Sequence, residues 1–181
     1  MITTTTTTNY TNDEYGISVE LPYAPCDSEV HVSNDGKELT FLLHDEFSHW
    51  DEYEWGDTIF VDFSNNRSIS PDEFLEEHST GYNIYPVGKY EHGMVHYSIA
   101  GSRWYPDMNF DYGVCAYIAI PEDYQNQTEF ANSLLDEYSS WCNGEVYCIV
   151  HLDIDNPDDF DIYGGFIGYD HATETAKAGG Y

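Results

Sequence analysis

The sequence predicts an α+β fold in which an antiparallel sheet carries one main helix, at about residues 128–141, and one short helix, at about residues 71–78. Short apolar or alternating segments, typical of strands, are separated by turn residues along most of the chain. Only residues 128–141 have apolar side chains at helical spacing over several turns. The second half has the order strand, strand, helix, strand, strand, which favours antiparallel pairing.

The first half is predicted to contain mainly strands after an N-terminal arm. Residues 1–16 include six consecutive threonines and have no apolar periodicity, so they are predicted to be a disordered, Thr-rich arm. Residues 17–181 are predicted to form a single acidic domain. Its first strands are expected at residues 17–23, 30–33, 39–44 and 58–63, with Asp35-Gly36 as a hairpin turn.

Both predicted helices have recognisable ends. Ser70 is a suitable N-cap for the short helix, Pro71 fits its first position, and acidic residues follow in its first turn. The main helix ends before Asn143-Gly144, a pair suited to a left-handed cap. The remaining strands are expected at residues 90–100, interrupted at Gly93, and at 113–120, 145–152 and 161–168.

The charge is the most informative part of the composition. The 181 residues include 34 Asp and Glu but only 5 Lys and Arg, so the formal net charge is −29. With 41% hydrophobic and 17% aromatic residues, the chain has too much buriable surface for a disordered acidic tail. Five cations cannot neutralise a phosphate track, which excludes a nucleic-acid-binding surface. No membrane span or secretory signal is expected, and the predicted location is a host cytoplasm.

The acidic residues concentrate in three clusters, which we name by their residue numbers. A single cluster is commonly a solvated face, but three with few compensating cations indicate a binding surface. The 45–62 cluster contains Asp45, Glu46, Asp51, Glu52, Glu54, Asp57 and Asp62; the 72–77 cluster contains Asp72, Glu73, Glu76 and Glu77; the 153–161 cluster contains Asp153, Asp155, Asp158, Asp159 and Asp161.

No motif indicates catalysis, and neither a cofactor nor a metal ligand set is predicted. Pairs of carboxylates suited to acid–base chemistry are inevitable among 34 acidic residues and therefore carry little weight. His92 and His96 are favoured as structural or surface histidines, with metal binding as the alternative. The 153–161 cluster lacks the glycine and glutamate of an EF-hand, and a loose cation site there stays open.

The four cysteines are predicted to be free thiols. Cys26, Cys115, Cys142 and Cys148 contain no Cys-x-x-Cys pair, and no secretory context accompanies them. A metal site that uses Cys142 and Cys148 is the alternative.

Aromatic residues lie between acidic ones at two places in the sequence. Trp50 and Trp55 flank Asp51, Glu52 and Glu54, and a second mixed stretch covers residues 105–112. Core packing explains most aromatics, but exposed rings among carboxylates suit a protein interface in which arginine side chains stack on them. Trp50 and Trp55 are therefore included in the predicted partner-binding residues.

Five stretches of the second half combine aromatic residues with glycine: Tyr90-Glu-His92-Gly93-Met94-Val95, Trp104-Tyr105-Pro106-Asp107, Gly113-Val-Cys-Ala-Tyr117-Ile118, Trp141-Cys-Asn-Gly144-Glu145-Val146-Tyr147 and Tyr163-Gly164-Gly165-Phe166-Ile167-Gly168. In this succession the second half resembles small acidic accessory proteins of tailed bacteriophages. The sequence lacks the Pro-Trp-Asp-Ser-Gly stretch of the phage proteins. The composition is also similar in physical type to DNA-mimic inhibitors, including antirestriction proteins and acidic anti-CRISPRs.

These observations favour a non-enzymatic DNA mimic that occupies the DNA-binding groove of a host restriction or CRISPR-type nuclease. The 72–77 cluster is expected to share one face with Asp45, Glu46, Asp51, Glu52 and Glu54. The 153–161 cluster either extends this face or is mirrored in a homodimer. Two alternatives remain: a halophile cytosolic protein hydrated by its acids, and an acidic hydrolase with a hidden carboxylate pair. A halophilic domain should unfold at low salt, and a hydrolase should hold a carboxyl group of raised pKa in a pocket.

Overall fold

The computed structural model describes residues 8–26, 30–46, 55–64 and 68–179, and these residues form the expected α+β fold with antiparallel sheets. The chain divides into two compact units where the sequence predicts one domain. Unit 1 contains residues 1–48 and 144–181, and unit 2 contains residues 49–143. No change of composition marks the two points at which the chain passes from one unit to the other, so the sequence has no linker by which the division could be recognised.

Unit 1 is a four-stranded antiparallel sheet with a hairpin and a helix. The sheet has the order β10-β9-β4-β3, and the hairpin pairs β1 with β2. Its elements are β1 (Thr8–Asn12), β2 (Ile17–Leu21), β3 (Val30–Val32), β4 (Glu38–His44), β9 (Val146–Asp153), β10 (Phe160–Ile167) and α4 (Tyr169–Ala178).

Alternation along the strands of unit 1 produces two hydrophobic clusters. Leu39 and Phe41 of β4 pack with alternate residues of β2 and β9, whereas Leu42 packs with Ile149 and with Ala172 of α4. Because successive side chains of a strand point to opposite faces, the hairpin covers one face of the sheet and α4 covers the other.

Two elements of unit 1 differ from the sequence prediction. Residues 8–12 are not part of a disordered arm, since they pair with β2 in register from Thr8 opposite Leu21 to Asn12 opposite Ile17. Every β1 residue is polar except Tyr10, which packs on the core, so the strand shows no apolar alternation. Helix α4 was not predicted, because the residues that it buries are the small Ala172, Thr173 and Ala176.

Unit 2 is a second four-stranded antiparallel sheet, with the order β5-β8-β6-β7 and three helices within the described residues. Both predicted helices are present, and the turn at Gly93 separates two strands. The elements are β5 (Ile59–Asp62), α1 (Pro71–Glu77), β6 (Tyr82–Glu91), β7 (Val95–Ile99), α2 (Met108–Asp111), β8 (Tyr112–Pro121) and α3 (Gln127–Cys142).

The core of unit 2 lies between its sheet and α3. Leu134 and Leu135 of α3 pack against Val87, Tyr97 and Ile118 of the sheet. The apolar spacing that predicts this helix therefore corresponds to its buried face. Side chains also connect the helix to β7, since Ser139 and Asn143 exchange hydrogen bonds with backbone groups of that strand.

Gly88 of β6 makes room for the ring of Tyr112, the first residue of β8. A Cβ atom at residue 88 would lie 2.0 Å from Tyr112 Oη and 2.4 Å from Cε2. The ring of Tyr112 also stacks near Tyr105, with centroids 6.3 Å apart. A side chain at residue 88 would consequently displace an aromatic ring from its packed position.

We expect Gly88→Ala to destabilise the protein by about 3 kcal/mol, because the added methyl group overlaps the Tyr112 ring. Gly113→Ala is the matched control, since a Cβ there meets no atom within 4 Å and the residue lies in β8, the strand that pairs with β6. Denaturant unfolding measures both effects. Equal midpoints for the two variants would contradict the packing role of Gly88.

Candidate partner-binding surface

The described residues of the 72–77 cluster form an acidic helix face in unit 2. Asp72, Glu73, Glu76 and Glu77 are all exposed on α1, whereas Phe74 is fully buried. Phe74 packs edge-on against Phe63 and stacks on Tyr117, with centroid distances of 6.0 Å in both cases. One aromatic anchor thus holds a short helix whose remaining faces present carboxylates to solvent.

The N-terminus of α1 is closed by a reciprocal cap. Ser70 Oγ accepts a hydrogen bond from Glu73 N at 3.3 Å, and Glu73 Oε2 accepts one from Ser70 N at 2.8 Å. The bond from the Ser70 backbone lowers the pKa of Glu73 below its ordinary value. Glu73 therefore stays ionised while it fixes the helix start.

The 153–161 cluster runs from the last residue of β9, through the turn, to the second residue of β10 in unit 1. Asp153 Oδ1 accepts a hydrogen bond from Asp155 N at 2.8 Å, which shapes the turn. Within the described part of the chain, no group of three or more His, Cys, Asp or Glu side chains is placed to hold a metal ion. The five aspartates of this cluster, Asp153, Asp155, Asp158, Asp159 and Asp161, are all exposed.

The 45–62 cluster is mixed. Glu46 and Asp57 are exposed, whereas Asp45 is half-buried and Asp62 is buried. Asp45 Oδ2 accepts a hydrogen bond from Gly165 N at 3.1 Å, where β10 is irregular, so Asp45 contributes to the fold of unit 1. Four predicted partner-binding residues, Trp50, Asp51, Glu52 and Glu54, lie outside the described residues.

Asp62 is an acidic side chain inside unit 2. Its Oδ2 accepts a hydrogen bond from Tyr97 Oη at 2.7 Å, and its Oδ1 accepts bonds from Ser64 N at 2.8 Å and Ser64 Oγ at 2.5 Å. Burial raises the pKa of Tyr97 well above its ordinary value, so Tyr97 keeps the proton that it donates. Both oxygens of the Asp62 carboxylate thus accept hydrogen bonds inside the protein.

Trp55 packs in the core of unit 2. Its ring lies 5.7 Å from that of Phe60 and 6.4 Å from that of Tyr138. The most exposed aromatics are found elsewhere among the described residues: Trp104 is 81% exposed and Phe110 is 89% exposed. The mixed aromatic and acidic sequence of residues 104–112 was the available signal for them.

Within the described part of unit 2, Lys89 and Arg103 are each paired with a neighbouring carboxylate. Arg103 forms two hydrogen bonds with Asp136, each 2.6 Å long, and Lys89 Nζ lies 2.8 Å from Glu91 Oε2. The hydrogen bonds to Asp136 and Glu91 raise the pKa values of Arg103 and Lys89. These two cations therefore weaken the negative field only locally.

None of the four cysteines is in a disulfide, and all four are half-buried. Burial, followed by the negative charge of Asp62, raises the pKa of the Cys115 thiol to about 11. Burial likewise raises the pKa of Cys148 to about 12, with Asp45 as the second cause. Neither thiol is ionised at neutral pH, and both are therefore poor nucleophiles.

No family model matches the chain, and comparisons with curated proteins and with solved structures return no significant match. The described residues contain no helix that is long and apolar enough to cross a membrane. The resemblance to phage accessory proteins therefore stays an expectation from sequence.

We expect Tyr97→Phe to destabilise the protein by about 1.5–3 kcal/mol, because the buried Asp62 carboxylate would lose the hydrogen bond that Tyr97 Oη donates to it. Tyr85→Phe is the control, because Tyr85 donates a bond of 2.9 Å to the neutral Gln127 side chain. Urea unfolding compares the two. A loss for Tyr97→Phe no greater than that for Tyr85→Phe would refute this account of Asp62.

The Cys115 pKa implies a specific alkaline dependence. The pKa of Cys115 is about 11 in the folded state, above the ordinary value of 9.0. The neutral thiol therefore contributes fully to the free energy of unfolding below pH 9, and this contribution is lost as pH rises through 11. The difference in unfolding free energy between the wild type and Cys115→Ser should therefore shrink from pH 8 to pH 11. Denaturation at both pH values checks it, and a constant difference would show that the thiol pKa is not raised.

Proposed function

We propose that the protein is a DNA mimic that inhibits a basic DNA-binding protein by occupying its DNA-binding groove. The observation that carries this proposal is the exposure of whole acidic clusters, on α1 and in the turn between β9 and β10, in a chain of net charge −29. A host restriction or CRISPR-type nuclease is the partner class that suits this charge, in the setting of a bacteriophage infection.

The size of the charge supports the proposal. At about 1.7 Å of duplex axis per phosphate, 29 net charges equal those on about 49 Å of DNA. A groove that binds DNA is lined by Lys and Arg, for which carboxylates are suitable acceptors. Charge of this magnitude also accelerates the encounter with a basic partner.

The acids are held on ordered elements as a mimic requires. The α1 carboxylates are fixed by the buried Phe74 and the Ser70 cap, and the other exposed cluster follows directly from β9. A rigid presentation reduces the entropy that is lost on binding. The half-buried Asp45 and the buried Asp62 instead accept hydrogen bonds that hold the fold.

The direct test is capture from a bacterial lysate with immobilised protein at low salt, followed by elution with duplex DNA. A mimic predicts that DNA releases the captured protein, and that affinity falls steeply as salt increases. Retention of the partner in saturating DNA would reject the shared groove. Unfolding of the protein at low salt would instead support the halophile alternative.

We expect Glu76→Lys or Asp57→Lys to weaken binding of the captured partner roughly tenfold at low salt, and more than the matching Ala variants. Reversal adds repulsion from the basic groove to the lost attraction. Glu174→Lys on α4 is the control, because it makes the same charge change at an exposed residue outside the clusters. Equal losses for all three reversals would show that net charge alone, and not these clusters, governs binding.

A further inference from the structure

The segment between β7 and β8 presents two large aromatic side chains to solvent. Trp104 and Phe110 are 81% and 89% exposed, and the acidic residues Asp107 and Asp111 lie in the same segment. We name residues 100–112 the aromatic loop. Exposure of such large apolar rings to water is unfavourable, and aromatic residues are common anchors of protein interfaces.

The aromatic loop is attached firmly at both sides. The ring of Tyr105 stacks on that of Tyr90 of β6, with centroids 4.7 Å apart and planes 11° from parallel. Arg103 is fixed to α3 by its two bonds to Asp136. Asp107 has a φ of 56°, a left-handed backbone conformation that is costly for a residue other than glycine. The loop therefore displays its exposed rings from an ordered base.

A cleft lies beside the loop. Its volume is about 510 Å³, and its lining combines the rings of Phe110 and Tyr112 with the carboxylates of Glu91 and Asp111. Lys89 also lines the cleft and lies 2.8 Å from Glu91 Oε2, and His92 Nδ1 lies 2.9 Å from Asp111 Oδ2, so an arginine that binds here competes with these two side chains for the carboxylates. Rings together with carboxylates are the groups that bind a guanidinium, by stacking and by paired hydrogen bonds.

We propose that the aromatic loop and this cleft bind arginine side chains of the basic partner, an inference that rests on the DNA-mimic function proposed above. Charge complementarity selects this occupant. A second copy of the chain carries the same net charge of −29 and would be repelled, as would an anionic membrane. The acidic clusters then supply attraction at long range, and the loop supplies selectivity for arginine over lysine.

The test uses nona-arginine and nona-lysine as probes of equal charge. Isothermal titration calorimetry at about 50 mM salt, where electrostatic binding is strong, measures both affinities. We expect the wild type to prefer nona-arginine about fivefold, the scale of a few stacking contacts. In the double variant Trp104→Ala/Phe110→Ala this preference should disappear, while the affinity for nona-lysine changes less than twofold.

Two further variants make the result specific. Leu75→Ala/Ile162→Ala removes exposed apolar side chains elsewhere, with exposures of 37% and 46%, and should retain the arginine preference. Trp104→Leu/Phe110→Leu keeps apolar area but removes the aromatic faces, and should lose the preference. Thermal unfolding of each variant verifies that it is folded, which is expected at Trp104 and Phe110 because these side chains contribute little buried area.

The outcomes separate this inference from the function on which it rests. Equal, salt-sensitive binding of both peptides by the wild type would overturn arginine recognition and leave electrostatic mimicry standing. Binding of neither peptide would overturn both. Loss of self-association in Trp104→Ala/Phe110→Ala, measured by sedimentation, would identify a second copy as the occupant and also overturn the inference.

Discussion

Mutual repulsion among 29 uncompensated negative charges is the constraint on which the rest of the structure depends. Repulsion of this kind raises the free energy of any compact state. Each unit opposes it with its own apolar core, built on Phe41 and Val150 in unit 1 and on Tyr97 and Ile118 in unit 2. The high aromatic content is thus explained in part by stability, because large rings bury much area for each residue.

The acidic side chains differ in whether they are bonded inside the fold or exposed to solvent. Those at the ends and irregularities of strands, Asp45 and Asp62, are satisfied by backbone and hydroxyl donors inside the fold. Those on α1 and in the 153–161 cluster are exposed to solvent.

Local signals were sufficient for much of the fold and insufficient for the site. The cap at Ser70 and the apolar face of α3 follow from short-range chemistry, and both helices are present as predicted. The polar strand β1 and the small-residue helix α4 depend on tertiary partners, which no local pattern reveals. Trp55 and Trp104 both lie in polar stretches that contain acidic residues, yet only the packing around them shows that the first packs against the core and the second is exposed.

The insertion of unit 2 between β4 and β9 has a consequence for biosynthesis. These strands are neighbours in one sheet, with His44 opposite Tyr147, although about a hundred residues separate them in the chain. At translation rates of roughly 5–20 residues per second, β4 leaves the ribosome about 5–20 s before its partner is made. During that interval the edge of β4 that will pair with β9 has no partner strand. The segment between them already contains β5, β6, β7 and β8, which form the sheet of unit 2. Unit 2 is therefore expected to fold first, before β9 is made and pairs with β4.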